Sequence, residues 1–276
     1  MKNLKIRLFF NKIKRKIYVR LLKIPINKKI MTYLHDYIHS HEGQGFFFDL
    51  AAGDEFCQNK HEIDSCLSLL KNKPKIFIDI GCHQGEYTNL LLKKLPNLEV
   101  HIFEPSKVSF ENLAKLFLNK GFFLNNSALS NVNKKGILFS PHPGSGLASL
   151  TKKDLRHANI KFDLSEEIDV IRFDKYWDKS SSIIDYVKID VEGHELEVLE
   201  GFGLLINNVK LIQFEFGPSN IDSRTFFRDF WYFFLEKDFL LYRITPLGNV
   251  LITEYGREKE EKFFFTNFIA INKKYF

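Results

Sequence analysis

The stretch KIFIDIGCHQGEYTNLLLKKLPNLEVHIFEP, residues 75–105, contains two apolar strand patterns separated by a helical one. The first apolar run, 75–81, ends in glycine, residues 86–95 favour a helix, and residues 98–105 form the second apolar run. Strand, helix and strand in this order predict a βαβ unit and therefore a parallel sheet. We expect an α/β protein with a doubly wound, Rossmann-like sheet.

The alternation continues towards the C-terminus. Further helices are predicted at 106–121, 194–203 and 223–239, and further strands at 122–130, 183–190 and 209–217. Residues 240–245 and 262–274 are predicted to close the sheet as an antiparallel hairpin. Residues 131–180 interrupt the pattern with a Gly-, Pro- and Ser-rich loop at 140–149 and an extra strand at 167–176. We interpret them as an insertion whose loop is either a lid over a bound ligand or a plain connector.

The composition indicates a globular chain whose basic character is confined to one end. Of 276 residues, 45% are hydrophobic and 27% are charged, which is ordinary for a folded domain. The net charge is +6, yet residues 1–35 contain 11 Lys or Arg and no acid. The rest of the chain has 29 basic residues against 34 acidic ones, so the main domain, predicted to span 44–276, is acidic.

The N-terminal extension, predicted to span 1–43, begins with a basic amphipathic helix. Its apolar residues recur every three or four positions, and lysines and arginines occupy the other faces. Residues 1–24 could make peripheral contact with an anionic membrane or meet an acidic partner. They could equally pack on the main domain with their lysines in water.

Targeting features predict a cytoplasmic protein, with the inner face of the membrane as the place of any peripheral contact. Three cysteines without a CxxC pair fit a reducing compartment better than a disulfide scaffold. The start lacks the apolar core and cleavage site of a secretory signal. No window approaches the roughly 18 apolar residues of a membrane-spanning helix.

The end of the first predicted strand has the features of a cofactor-binding turn. Asp79, Gly81 and Gly85 form it, and Glu104 ends the next strand at about the spacing at which an acid binds a ribose diol. The G-x-x-x-G spacing differs from the G-x-G-x-x-G of dinucleotide sites, and Asp79 would repel a diphosphate. S-adenosylmethionine, a cation without phosphate, fits better. The alternative is a tight turn in an unrelated α/β protein.

A second group of polar residues follows a later strand. KIDVEGHELEVLEG (188–201) places Asp190, Glu192 and His194 where an apolar run passes into a helix, and Glu215 ends the next strand. Carboxylates at the end of a buried strand need a ligand, a metal, a partner or solvent. One alternative is that Asp190, Glu192 and Glu215 bind a hard cation such as Mg²⁺. Another is that Glu192 and His194 only cap the helix while backbone amides satisfy Asp190.

Seven blocks, taken in order, resemble the FkbM-type methyltransferases from about residue 44 to the end of the chain. They are FIDIGCHQGEYT (77–88), FEPS (103–106), NNSALS (125–130), GSGLASL (144–150), FDKY (173–176), VKIDVEGHELEVLEGF (187–202) and LIQFEF (211–216). The resemblance implies a class I, S-adenosylmethionine-dependent fold that methylates oxygen, often a hydroxyl of a sugar, glycolipid or polyketide. Cys82 and His83 depart from the family's usual turn, DVGANIG.

The resemblance also implies roles for individual residues. Asp79, Gly81 and Gly85 would frame the methionine portion of the cofactor, Glu104 would bind the ribose, and Asn126 would lie near the adenine. The strand that ends at Asp190 would border the transferable methyl group. Asp190 or His194 would then remove the hydroxyl proton, while Glu192 and Glu215 hold sugar hydroxyls.

We therefore predict an O-methyltransferase that acts on a carbohydrate or glycolipid acceptor, with S-adenosylmethionine as cofactor and Mg²⁺ as an open alternative. One rival is an inactive protein of the same fold that serves as a scaffold in a glycan assembly complex. Another is a nucleic-acid methyltransferase anchored by its basic extension. The acidic main domain and the lack of a [DNS]-P-P-[YF] motif speak against nucleic acid as the substrate.

Overall fold

The computed structural model describes residues 58–118, 120–178 and 182–276. The predicted extension 1–43 and its basic helix lie outside the described residues. In the part of the chain that is described, no helix is long and apolar enough to cross a membrane.

A mixed eight-stranded sheet forms the centre of the domain, in the order β10-β9-β11-β8-β7-β1-β2-β3. Strands β3, β2, β1, β7 and β8 are parallel, and β11, β9 and β10 continue the sheet in antiparallel pairs. The bounds are β1 Ile76–Ile80, β2 Glu99–Phe103, β3 Phe123–Asn125, β7 Ile184–Ile189, β8 Val209–Phe216, β9 Phe239–Thr245, β10 Gly248–Ile252 and β11 Thr266–Asn272.

Helices cover both faces of this sheet. They are α1 Gln58–Leu69, α2 Glu86–Lys94, α3 Lys107–Leu116, α4 Phe173–Tyr176, α5 Glu195–Gly201, α6 Ser219–Ser223, α7 Phe227–Glu236 and α8 Arg257–Glu260. One apolar core includes Phe214 of β8 and Phe230 of α7, and the other includes Ile63 of α1 and Leu91 of α2. All six residues of β7 are buried, as expected for a central parallel strand covered on both sides.

The predicted doubly wound sheet is thereby confirmed, with one difference at its closing edge. β9 and β11 pair antiparallel as expected, but β10 lies between them in the sequence and forms the hairpin with β9. Five residues, Gly248–Ile252, make up β10, and among the described strands it pairs with β9 alone. Such a short edge strand leaves little periodicity for sequence analysis to detect.

The insertion folds as a small second sheet above the carboxyl ends of the main strands. Strand β5 (Lys134–Ser140) pairs antiparallel with β6 (Leu164–Ile171), and β4 (Ala128–Leu129) runs parallel to β6. The extra strand predicted at 167–176 therefore ends at Ile171, and the FDKY residues form α4 instead. This helical turn buries Phe173 completely and stacks it on Phe202, with ring centroids 4.1 Å apart.

Candidate active site

The carboxyl ends of the adjacent strands β1, β2 and β7 bring three predicted residues to one edge of the sheet. Gly81 follows β1, Glu104 follows β2 and Asp190 follows β7. Gly81 has φ +81°, and a Cβ there would lie 1.8 Å from the backbone oxygen of Asp190. Only glycine allows the two strand ends to approach this closely.

Asp79 and Gly85 are the other two predicted residues of this turn. Gly85 has φ +79° and precedes α2, and a Cβ there would lie 2.8 Å from Leu113 Cδ2. Asp79 is fully buried, and one of its oxygens accepts a hydrogen bond from Thr88. Its Oδ1 atom has no hydrogen-bond partner in the described part of the chain. The glycines therefore shape the turn, and Thr88 of α2 holds the buried carboxylate of Asp79.

Glu104 is held in place by the backbone around it. Its carboxylate accepts the N–H of His83 at 2.8 Å and that of Ser106 at 2.9 Å. Burial raises the pKa of Glu104 to about 7, and these two amides counteract part of that rise. The exposed Asn126 donates to the backbone oxygens of Glu104 and Pro105 at 2.9 and 3.0 Å. Asn126 therefore fixes the loop that carries Glu104.

These strand ends form the floor of a narrow cleft, called here the first cleft. Its walls include Glu104, Ser127, Asp190 and the segment 145–150 of the insertion. The space between these walls is only about 50 Å³, enough for a few water molecules. No Lys or Arg is among the described residues that line it. With this volume, the cleft is narrower in this structure than a nucleoside, and segment 145–150 of the insertion forms one of its walls.

Two side-chain hydrogen bonds join residues 144–149 of the insertion to the loops that follow β1 and β7. The imidazole Nε2 of His83 donates to the backbone oxygen of Gly144 at 3.0 Å. Ser149 Oγ donates to the backbone oxygen of Glu192 at 2.8 Å. His83, which departs from the usual turn of the family that the sequence resembles, thus joins the turn after β1 to the loop of the insertion.

Three acidic side chains converge beside the first cleft. Asp190, Glu192 and Glu215 each place a carboxylate oxygen within 4.8 Å of the others. Lys188, with 8% of its side chain exposed, donates from Nζ to Asp190 Oδ2 at 3.0 Å. The side chain of Glu215, which lies in β8, makes no hydrogen bond or ion pair in the described part of the chain. Burial, and then the charges of Asp190 and Glu192, raise its pKa well above the usual value.

Glu192 is both strained and firmly held. Its φ of +59° is uncommon for a residue with a side chain. Its Oε2 atom accepts from the buried Lys153 at 2.5 Å and from Ser219 Oγ at 2.7 Å. Lys153, Lys188, Ser149 and Ser219 were not predicted from the sequence, because their roles depend on contacts between distant segments.

His194 begins α5 but does not cap it with its side chain. Its Nε2 lies 3.0 Å from Ser130 Oγ, and its Nδ1 lies 3.6 Å from Glu197 Oε2. Burial, followed by the charge of Lys134, lowers the pKa of His194 to about 4. The carboxylate of Glu195, not of Glu192, accepts backbone N–H groups at this turn, from Val191 and Gly193.

Comparison with known proteins agrees with this architecture. The family model described as the methyltransferase FkbM domain matches residues 79–241. The 2-O-methyltransferase NoeI of Sinorhizobium fredii (strain NBRC 101917 / NGR234) is 24% identical over 170 residues, covering 56% of this chain and 68% of NoeI.

Two solved structures are also similar at low sequence identity. The plantazolicin methyltransferase BpumL in complex with SAH is 12% identical with a TM-score of 0.43, covering 98% of this chain and 99% of BpumL. The precorrin-6y C5,15-methyltransferase of Geobacter metallireducens GS-15 is 11% identical with a TM-score of 0.39, covering 80% and 93%. The family match spans more than half of the sequence, so the chain belongs to the FkbM methyltransferase family and is an S-adenosylmethionine-dependent methyltransferase.

Proposed function

We propose that this enzyme transfers a methyl group to a hydroxyl of a sugar or glycan. The observation that carries the proposal is the convergence of Asp190, Glu192 and Glu215, whose carboxylate oxygens lie within 4.8 Å of one another beside the first cleft. Carboxylates are the hydrogen-bond acceptors that a hydroxyl-rich acceptor needs. The 2-O-methyl activity in the name of NoeI supports oxygen as the methylated atom.

The residues of the first cleft fit the cofactor. Glu104 lies where a ribose diol can donate to its carboxylate, since each of its oxygens retains a lone pair besides the amide that it already accepts. The lack of Lys or Arg among the described lining residues disfavours a diphosphate and favours a cation. When bound, S-adenosylmethionine supplies an electrophilic methyl group on a positively charged sulfur.

Asp190 is the residue we assign to the hydroxyl proton. Lys188 neutralises one side of this carboxylate and fixes its orientation, while 40% of the Asp190 side chain remains exposed to the cleft. Asp190 accepts the proton of the acceptor hydroxyl, and Glu192 and Glu215 hold the neighbouring hydroxyls. Positioned proton transfer of this kind contributes roughly 10²–10⁴-fold to a rate.

His194 is the less suitable base of the two predicted. Its neutral form is favoured by a pKa of about 4, which by itself suits a base. However, its Nε2 is within hydrogen-bond distance of Ser130, and 16% of its side chain is exposed against 40% for Asp190, so Asp190 is the more accessible of the two. We assign His194 to holding the loop at Ser130 against the start of α5.

A divalent cation is the rival occupant of the acidic cluster. Three carboxylate oxygens within 4.8 Å suit a hard cation such as Mg²⁺. Lys188 and Lys153 each already engage one oxygen, of Asp190 and Glu192 respectively, which reduces the ligand capacity of the cluster. We therefore favour hydroxyl groups as the direct ligands and treat metal dependence as an outcome of the test.

The test begins with calorimetric titration of S-adenosylhomocysteine into the wild-type protein and the Glu104→Ala variant. We expect binding to the wild type and weaker binding to the variant. Saccharide acceptors are then screened with labelled S-adenosylmethionine, once with Mg²⁺ and once with EDTA. Methylation of a sugar hydroxyl in both conditions supports the proposal. Transfer that requires Mg²⁺ assigns the cluster to the metal, and methylation confined to nitrogen or to nucleic acid refutes the proposal.

A further inference from the structure

A second and larger cleft lies next to the first and shares a wall with it. It runs between segment 153–157 of the insertion and segment 218–222, which contains most of α6. Glu192 lines both clefts. Methyl transfer requires the acceptor oxygen to approach the cofactor within about 3–3.5 Å. Glu192 is the residue that the two linings share, so an acceptor in the second cleft that contacts Glu192 lies at the border with the first.

The two clefts differ greatly in size. The second has a volume of about 620 Å³, against about 50 Å³ for the first. Pockets that hold drug-sized ligands measure roughly 300–1,000 Å³. A single sugar ring is smaller than such a ligand, so the second cleft has room for more than one ring.

The lining has apolar side chains for the C–H faces of a saccharide and carboxylates for its hydroxyl groups. Leu147, Leu155 and Ile221 offer apolar contacts for the C–H faces of sugar rings. Ile221 is 60% exposed, a high fraction for a large apolar side chain in a concave site. Glu192 and Asp222 add carboxylates for hydroxyl groups.

The cations of the second cleft are already engaged. Lys153 binds Glu192 at 2.5 Å, and Arg156 binds both carboxylate oxygens of Asp154, at 2.8 and 2.6 Å. A site for a polyphosphate backbone would instead leave such cations available for the ligand. The charge arrangement therefore favours a neutral acceptor over nucleic acid.

We propose that the second cleft is the acceptor site and binds a neutral saccharide of two or more sugar units. Its reacting hydroxyl lies at Asp190 and a neighbouring hydroxyl at Glu192, and the remaining rings extend along Ile221 towards Asp222. This inference rests on the proposed sugar O-methylation and adds to it the location and the size class of the acceptor.

The test uses Ile221→Trp, which fills the cleft at an exposed position and is therefore expected to fold. The matched control is Leu204→Trp, since Leu204 is an aliphatic residue that is 87% exposed and lines neither cleft. Saturation-transfer difference NMR is recorded with maltose, cellobiose and N,N′-diacetylchitobiose, with glucose as the single-ring probe. A short single-stranded RNA serves as the phosphate-rich probe. S-adenosylhomocysteine affinity is measured for each protein by calorimetry.

We expect at least one disaccharide to bind the wild type and Leu204→Trp, and its affinity to fall about tenfold or more in Ile221→Trp. Cofactor affinity should be equal in all three proteins. The inference is overturned if no disaccharide binds, if Ile221→Trp binds as well as the control, or if RNA binds and Ile221→Trp abolishes that binding. These outcomes are distinct from failure of the proposed function, which would appear in the acceptor screen as methylation confined to nitrogen or to nucleic acid.

Discussion

Replacing Gly81 by alanine tests whether the close approach of two strand ends builds the cofactor site. A Cβ at this position would lie 1.8 Å from the backbone oxygen of Asp190. An ordinary carbon–oxygen contact is about 3.3 Å, so the two atoms must move apart by about 1.5 Å. Both belong to backbone, and no side-chain rotation can relieve the contact.

The cost follows from the hydrogen bonds on either side. Asp190 N donates to Ile80 O at 3.0 Å, and Gly81 N donates to Phe103 O at 2.9 Å. Losing both bonds costs about 2 kcal/mol. Alanine in the left-handed region adds roughly 1–2 kcal/mol. We therefore expect Gly81→Ala to lower the free energy of unfolding by about 3–4 kcal/mol and to abolish S-adenosylhomocysteine binding.

Gly121 provides the matched control. Its φ is +70°, close to the +81° of Gly81, but a Cβ there would meet no atom within 4 Å. Gly121→Ala should therefore lose only the roughly 1–2 kcal/mol of backbone strain and keep full cofactor affinity. Urea unfolding and calorimetry are measured on both variants. Equal losses of stability in the two variants, or normal cofactor binding by Gly81→Ala, would refute the reasoning.

Three further predictions concern the side chains around the clefts. Glu104→Gln should weaken S-adenosylhomocysteine binding by about 10–100-fold in calorimetry, because a charge-assisted hydrogen bond contributes about 1.5–3 kcal/mol; unchanged affinity would contradict its ribose role. Lys153→Met should speed amide hydrogen exchange across 145–153, because Glu192 loses its buried cation; exchange equal to wild type would show that this ion pair does not hold the lid. For His194, burial lowers the folded-state pKa to about 4, below the unfolded value of 6.5. The unfolded state therefore binds more protons between these pH values, and stability falls as the pH drops from about 6.5 to about 4, by at most about 3 kcal/mol. Urea unfolding of His194→Gln across this range should show a smaller fall than wild type, and an equal fall would refute the pKa argument.

The sequence was sufficient to predict the elements whose pattern is local. Apolar periodicity and the positions of glycine predict the βαβ unit at 75–105, the strand before Asp190 and the strand that carries Glu215. The structure has all three at these positions. Because β7 and β8 are parallel neighbours, their carboxyl ends lie side by side at one edge of the sheet. Asp190, after β7, and Glu215, near the end of β8, therefore come close together. This proximity is a consequence of the parallel sheet, so the prediction of an α/β fold was enough to imply it.

Contacts between distant segments could not be predicted in this way. Lys153 lies in an insertion without regular periodicity and pairs with Glu192 39 positions later. The sequence predicts that Lys188 lies in a strand. The burial of its side chain beside Asp190, and hence its ion pair with that carboxylate, depends on tertiary packing. The strand predicted to reach Tyr176 ended early because burial of Phe173 favours a helical turn, a tertiary effect that local propensity does not contain.

The strain at Glu192 links the lid to both clefts. A side chain at φ +59° costs on the order of 1–3 kcal/mol and persists only where surrounding contacts impose it. Ser149, Lys153 and Ser219 supply those contacts, and two of the three belong to the insertion. A displacement of segment 145–150 would carry Ser149 with it and remove part of this support. The backbone of Glu192 is thereby tied to segment 145–150 and its carboxylate to Lys153 and Ser219, so the residue that lines both clefts is positioned by the insertion and by α6 together.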